Sequence, residues 1–140
     1  MILPLKATPA EVMRAVETLE EYGREKSVGE KDLFALALAL EECGSNIVNY
    51  ALQRDPRQQF QVAIEHTENA ITIELRDRGP AFDPTQARVV EPVSEAGDRE
   101  PGGWGIQLVR RYMDEIHYRR EGDENVLRLT KHLGRKESQE

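Results

Sequence analysis

Between Glu30 and Leu52 one face of a helical pattern is apolar and the opposite face is not. Leu33, Phe34, Ala37, Leu40, Gly44, Ile47, Val48 and Ala51 recur with a helical period, so that face reads as core. Leu36 to Leu40 is almost wholly apolar, yet Glu41-Glu42 follows at once and Asn46 comes one turn later. Charge in a largely buried helix is costly unless it is paired or points into a wet cavity. Glu42, Asn46, Asn49 and Gln53 are spaced by three and four, which lines them up along one polar strip.

Other elements assemble around this helix. Ile2 to Lys6 can pair as an edge strand, with Pro4 where no N–H is needed. Thr8-Pro9, with Glu11 three residues beyond the threonine, opens a helix to about Arg24 whose stripe is Val12, Ala15, Val16 and Leu19. Phe60 to His66 and Ala70 to Leu75 alternate like strands across a turn at 65–69. Ile106, Leu108, Val109, Tyr112, Met113 and Ile116 predict a third helix, and His117 to Arg120 with Asn125 to Lys131 a closing hairpin. The order β-α-α-β-β-loop-α-β-β predicts an α+β fold with helices on one face of a mixed, mostly antiparallel sheet.

At 140 residues the chain fits one domain, assigned to 1–133, with a polar tail over 134–140. An apolar fraction of 39%, a charged fraction of 32% and a net charge of -7 belong to a globular protein and argue against a duplex nucleic-acid footprint. The lone Cys43 rules out an intrachain disulfide. No apolar run reaches the ~18 residues of a membrane span, and the first residues do not read as a signal peptide. A cytoplasmic location is the default expectation.

Three blocks carry candidate chemistry. Glu42 and Asn46 pair a carboxylate with a carboxamide one turn on. The carboxylate can orient or deprotonate a nucleophile, and the carboxamide oxygen suits a hard ion such as Mg²⁺; an isolated E-x-x-x-N is more often a solvated helix face. Asp77-Arg78-Gly79-Pro80-Ala81-Phe82 ends a strand in turn chemistry. Asp77 there can accept a hydrogen bond from an exocyclic amine such as adenine's, Gly79 lets backbone approach a ring, and Phe82 is either an apolar wall or ordinary core. Pro101-Gly102-Gly103-Trp104-Gly105 opens the third helix, and N–H groups at such a start can cradle phosphate. The long stretch from Arg78 to Gly103 between these blocks hints at a lid. There is no P-loop, no dinucleotide fingerprint and no zinc pattern among His66, His117, His132 and Cys43.

Taken in order, the three blocks resemble the GHKL ATPase superfamily, and within it the small bacterial anti-sigma factor serine/threonine kinases, or switch-protein kinases. The family's E-x-x-x-N matches Glu42 to Asn46, its D-x-G-x-x-F matches Asp77 to Phe82, and its G-G-x-G-[LI]-x-L-V-R-x-x-M-D-E matches Gly102 to Glu115. The resemblance implies a Bergerat-type two-layer α/β sandwich with an ATP lid, binding ATP and Mg²⁺. It implies that Glu42 is the general base or orienting carboxylate, Asn46 the Mg²⁺ ligand and Asp77 the partner of the adenine amino group. Asn49, Tyr50, Gly79, Phe82, Gly102, Gly103, Trp104, Gly105 and Ile106 complete the implied nucleotide-binding set. Many relatives carry histidine where Tyr50 stands, and tyrosine can hydrogen-bond phosphate but bears no positive charge at neutral pH. The implied activity is transfer of the γ-phosphoryl of ATP to an anti-sigma antagonist protein. A sigma factor and a second copy of the chain are further implied partners, with neither nucleic acid nor membrane. Two alternatives stay open: an ATP-binding module that only sequesters its partner, and a slow ATPase acting on water.

Overall fold

The computed structural model describes residues 1–86 and 103–134, with backbone only for 103–105. Gly102, most of the expected lid and residues 135–140 of the expected tail lie outside the described residues. Strand β1 (Ile2–Lys6) leads into helices α1 (Pro9–Glu25) and α2 (Glu30–Asn46). Strands β2 (Gln59–His66) and β3 (Ala70–Asp77), helix α3 (Gly103–Tyr112) and strands β4 (Glu115–Glu121) and β5 (Glu124–His132) follow. The strands form one sheet in the order β1-β2-β3-β5-β4, and every pairing is antiparallel.

One face of this sheet is core. Phe60, Val62 and Ile64 of β2, Ile71, Ile73 and Leu75 of β3, and Leu127 and Leu129 of β5 are all buried, in the alternation that period-two strands impose. Leu19 of α1, Leu36 and Leu40 of α2, and Ile106 and Val109 of α3 join them in the same core, giving an α+β two-layer architecture. The other face is charged. Arg76 bonds Glu74, Glu121 and Glu124 there, and Val126, its register neighbour on β5, is fully buried despite pointing to that side. Long arginine stems covering a small apolar residue account for this.

Helix α1 starts as its sequence predicts. Thr8 Oγ1 accepts the Glu11 N–H at 3.2 Å, with Pro9 in the first turn. Glu11 does not close a standard capping box on Thr8: its Oε1 accepts the Lys6 N–H at 3.0 Å, and Arg14 bridges back to Glu11 and to the Pro4 carbonyl. The first turn of α1 is thereby tied to β1. Where α1 meets α2, a Cβ on Gly44 would lie 3.2 Å from Val12, so glycine permits the close crossing.

Three expectations need correction. Helical periodicity put Phe34 in the core, but it is 62% exposed and stacks edge-on against Tyr112 at 6.4 Å. Its neighbours Leu33, Ala35 and Leu36 take the buried arc of α2 instead. Ile116 belongs to β4 rather than to the third helix, which ends at Tyr112. Asp114 closes that end, its N–H donating to the Thr130 carbonyl and its Oδ2 accepting the His132 N–H. Finally, α2 is not regular to Leu52: it gives way after Asn46 to a π-helical turn over Ile47–Ala51. Gly134, expected to start the tail, donates its N–H to Asp32 at the head of α2.

Helix α1 generates a stability prediction. Thr8→Ala should cost about 1 kcal/mol in denaturant unfolding. Hydrogen bonding from Arg14, then from the Lys6 N–H, draws the Glu11 carboxyl down from 4.5 to about 2. A depressed folded-state value stabilises the fold above the unfolded pKa and loses that contribution as pH falls towards about 2. Urea midpoints followed from pH 5 down to pH 2.5 should therefore drop less steeply for Glu11→Gln than for the parent.

Candidate functional site

Residues from all three sequence blocks meet where α2 and β3 end and α3 begins. A cavity of about 460 Å³ is walled by Cys43, Asn46, Ile47, Tyr50 and Ala51 from the α2 side. Asp77, Pro80, Ala81, Phe82 and Pro84 enclose it from the end of β3 and the turn beyond. Ile106 of α3 and Tyr118, Asn125 and Leu127 of the closing hairpin complete the lining. The volume and the mainly apolar wall with a few polar groups are typical of a small-molecule site.

The π-helical turn sets the α2 side. The Leu52 N–H donates to the Ile47 carbonyl five residues back, at 2.8 Å, and the Arg54 N–H reaches Val48 at 2.7 Å. Such a widened turn rotates every later side chain relative to the α-helical strip. Tyr50 and Ala51 consequently face the cavity alongside Asn46 and Ile47, while Asn49 does not line it and accepts a hydrogen bond from Arg54 Nε at 2.7 Å. Gln53 has left the helix with φ of 54°. The expected single strip from Glu42 to Gln53 is thus broken after Asn46. Glu42 lies one turn before Asn46, half-buried and outside the described lining.

On the opposite wall Asp77 is 5% exposed. Its Oδ1 accepts the Gly79 N–H at 2.8 Å and Asn125 Nδ2 at 3.0 Å. Among the described residues no donor reaches Oδ2, so one oxygen of a buried carboxylate is left over at the cavity wall. Gly79 is there for space: a Cβ would stand 2.8 Å from the Ala51 carbonyl oxygen and 2.9 Å from the Ala51 methyl. The turn after β3 is thereby seated directly on the π-helical turn. Phe82 lines the cavity but is 58% exposed, so it is a rim residue and not core.

Three residues to which sequence reasoning gave no site role, Asn125, Tyr118 and Arg120, hold this turn. Asn125, 6% exposed, stands opposite Asp77 in the β3–β5 register. Its Nδ2 also donates to the Pro80 carbonyl at 2.9 Å and the Gly79 carbonyl at 3.4 Å, while its Oδ1 accepts the Phe82 N–H and the Tyr118 hydroxyl. Arg120 Nη1 adds a bond to the Gly79 carbonyl at 2.9 Å. The available signal was an asparagine, a poor strand former, at the head of a predicted strand.

Cys43 is buried against the cavity, where desolvation first and the Glu42 charge second push its thiol up to about 12. It is a small apolar wall group rather than a nucleophile. Ile106, 2% exposed, meets the cavity from the first turns of α3, which begins at Gly103 as the glycine run predicts. Gly103, Trp104 and Gly105 are described by their backbone alone.

The chain belongs to the histidine kinase-like ATPase domain family, whose model matches residues 5–131. Among individual proteins it is similar to the serine/threonine-protein kinase BtrW of Bordetella bronchiseptica, 29% identical over 130 residues, covering 93% of this chain and 92% of BtrW. It also shares its fold with the crystal structure of the RsbU and RsbW domains of Rv1364c from Mycobacterium tuberculosis, at a TM-score of 0.63 and 18% identity. That match takes in 96% of this chain and 33% of the larger one.

Because the Gly79 contacts are with backbone as well as a methyl, Gly79→Ala should destabilise the fold by about 1–3 kcal/mol. Equilibrium denaturation measures this, and an unchanged midpoint would show that the two turns are not in contact.

Proposed function

We propose that the chain binds Mg·ATP in this cavity and transfers the γ-phosphoryl group to a serine or threonine of a small anti-sigma antagonist protein. The leftover oxygen of buried Asp77 carries the reading. A carboxylate oxygen to which the described residues supply no donor, inside an apolar cavity, asks for a donor from the ligand, and the exocyclic amine of adenine is such a donor. Membership of an ATPase-domain family and similarity to a serine/threonine-protein kinase along nearly the full chain support the same conclusion.

The remaining roles belong to the same proposal. Asp77 and the Gly79 turn hold the base, with Ile106 and Phe82 as apolar walls. Asn46, half-buried on the other side of the cavity, offers a carboxamide oxygen of the kind Mg²⁺ accepts alongside water and phosphate. Mg²⁺ bound there supplies neutralisation of phosphate charge. The N–H groups that open α3 at Gly103 favour the phosphate chain, whose negative charge suits a helix start. Glu42 orients the attacking hydroxyl and accepts its proton, one helical turn from Asn46. The antagonist, and a sigma factor held in alternation with it, are the proposed partners; homodimerisation belongs to the same proposal, as does a cytoplasmic setting. Among the described residues no helix is long and apolar enough to cross a membrane.

One observation favours a second reading. Tyr50 faces the cavity, 51% exposed, and offers a hydroxyl where a cation would stabilise transferring phosphate better. A chain that binds ATP and sequesters its partner without transferring phosphate, or that hydrolyses ATP slowly, would tolerate this.

Calorimetric titration with Mg·ATP should give saturable binding that Asp77→Asn weakens at least about tenfold, since an amide presents a donor to a donor. Incubation with radiolabelled Mg·ATP and a recombinant anti-sigma antagonist should label the antagonist. Glu42→Ala should cut labelling by roughly 10²–10⁴-fold while leaving nucleotide affinity nearly intact. Binding without labelling would favour sequestration, and phosphate release that needs no antagonist would favour the ATPase. Absence of Mg·ATP binding would sink all three.

A further inference from the structure

Asn125 lines the cavity, yet every hydrogen-bonding position it owns is already taken. A carboxamide has two N–H donors and two acceptor lone pairs. The Nδ2 group serves Asp77 Oδ1 at 3.0 Å and the Pro80 carbonyl at 2.9 Å, with Gly79 a longer third contact at 3.4 Å. The Oδ1 atom serves the Phe82 N–H at 3.2 Å and the Tyr118 hydroxyl at 2.6 Å. The orientation is unambiguous, because turning the amide over would set its NH₂ against an N–H donor and its oxygen against three oxygens. Asn125 therefore has nothing left for a ligand and acts on the turn instead.

Its effect falls on Asp77. By bonding Oδ1 together with the Gly79 N–H, Asn125 fixes the rotation of the carboxylate and decides which oxygen is left at the cavity wall. Through Pro80 and Phe82 it also fixes the backbone that forms the rim on that side. Tyr118 in turn holds Asn125, and it can do so because β4 and β5 pair in the register that sets Tyr118 against Leu127, two residues from Asn125.

We propose that Asn125, braced by Tyr118, is the positioning residue for base selection, aiming the spare Asp77 oxygen so that the cavity takes a purine with a 6-amino group and rejects one with a 6-keto group. The proposal rests on the ATP-binding reading above. A carboxylate oxygen held in one direction rewards a donor and repels a carbonyl, whereas one free to rotate discriminates poorly. Selectivity, rather than affinity alone, is thus the property that Asn125 controls.

The test compares ATP with ITP, its 6-keto analogue, by calorimetric titration in the presence of Mg²⁺. The parent protein should prefer ATP by at least about a hundredfold. Tyr118→Phe, which removes a single hydroxyl, should lower that ratio several-fold, and Asn125→Leu should bring it down by at least tenfold, while retained far-ultraviolet circular dichroism shows each variant folded. Asn125→Gln, with the same groups displaced by one methylene, should not restore it. Should Asn125→Leu prove unfolded, Tyr118→Phe alone decides. A folded variant whose affinities for ATP and ITP fall together, keeping the ratio, overturns the proposal and leaves Asn125 a structural residue. A parent that binds ATP and ITP equally overturns the base-selection role but leaves nucleotide binding standing, and a parent that binds neither overturns the ATP reading itself.

Discussion

The bond from Asn125 to Asp77 joins the two strands on which the whole cavity is hung. β3 and β5 are central neighbours in the sheet although α3 and β4 separate them along the chain. Pairing them in the register Asp77↔Asn125 brings a carboxylate and a carboxamide together at the sheet's end, where both are nearly excluded from water. Isolated, either group would be expensive to bury; together, and with the turn's backbone, they form a network in which Asn125 and Asp77 Oδ1 are satisfied and only Asp77 Oδ2 has no donor among the described residues. One register shift between these strands would dissolve it, since every side chain would change face.

From that point the rest of the site follows by contact. The turn held by Asn125 has a glycine where Ala51 presses in, so the end of β3 rests on the widened turn that ends the α2 segment. The widened turn in its turn presents Tyr50 to the cavity, beside Asn46 at the end of α2. Behind both lies a core shared by all three helices and the inner face of the sheet. The outer face, with its arginine–glutamate layer, keeps Val126 dry without contributing to the cavity.

Much of this was legible in the sequence. Alternating Phe60, Val62, Ile64 and Ile71, Ile73, Leu75 announced their strands, and Thr8-Pro9 announced a helix start, because these patterns are local. Asp77, Asn46, Phe82 and Ile106 were all named from short blocks, and all four line the cavity. What was not legible depended on partners distant in the chain or on a break in periodicity. Asn125, Tyr118 and Arg120 matter only through the sheet register. The polar spacing of Asn49 and Gln53 continued a helical strip on paper, but the π-helical turn rotates the chain between them and Asn46. Phe34 and Ile116 each fitted a helical period by coincidence, one on the wrong side of a real helix and one past the end of another.

The environment of Cys43 has a practical corollary. Burial, reinforced by the Glu42 charge, pushes the thiol up to about 12, so at neutral pH it stays protonated. Maleimides and iodoacetamides react with thiolate, so the native sulfur should remain silent in their presence while the fold is intact. Cysteines introduced on the surface can therefore carry fluorophores or spin labels in the otherwise unaltered chain, and sudden labelling of position 43 would report that the α2 layer had opened.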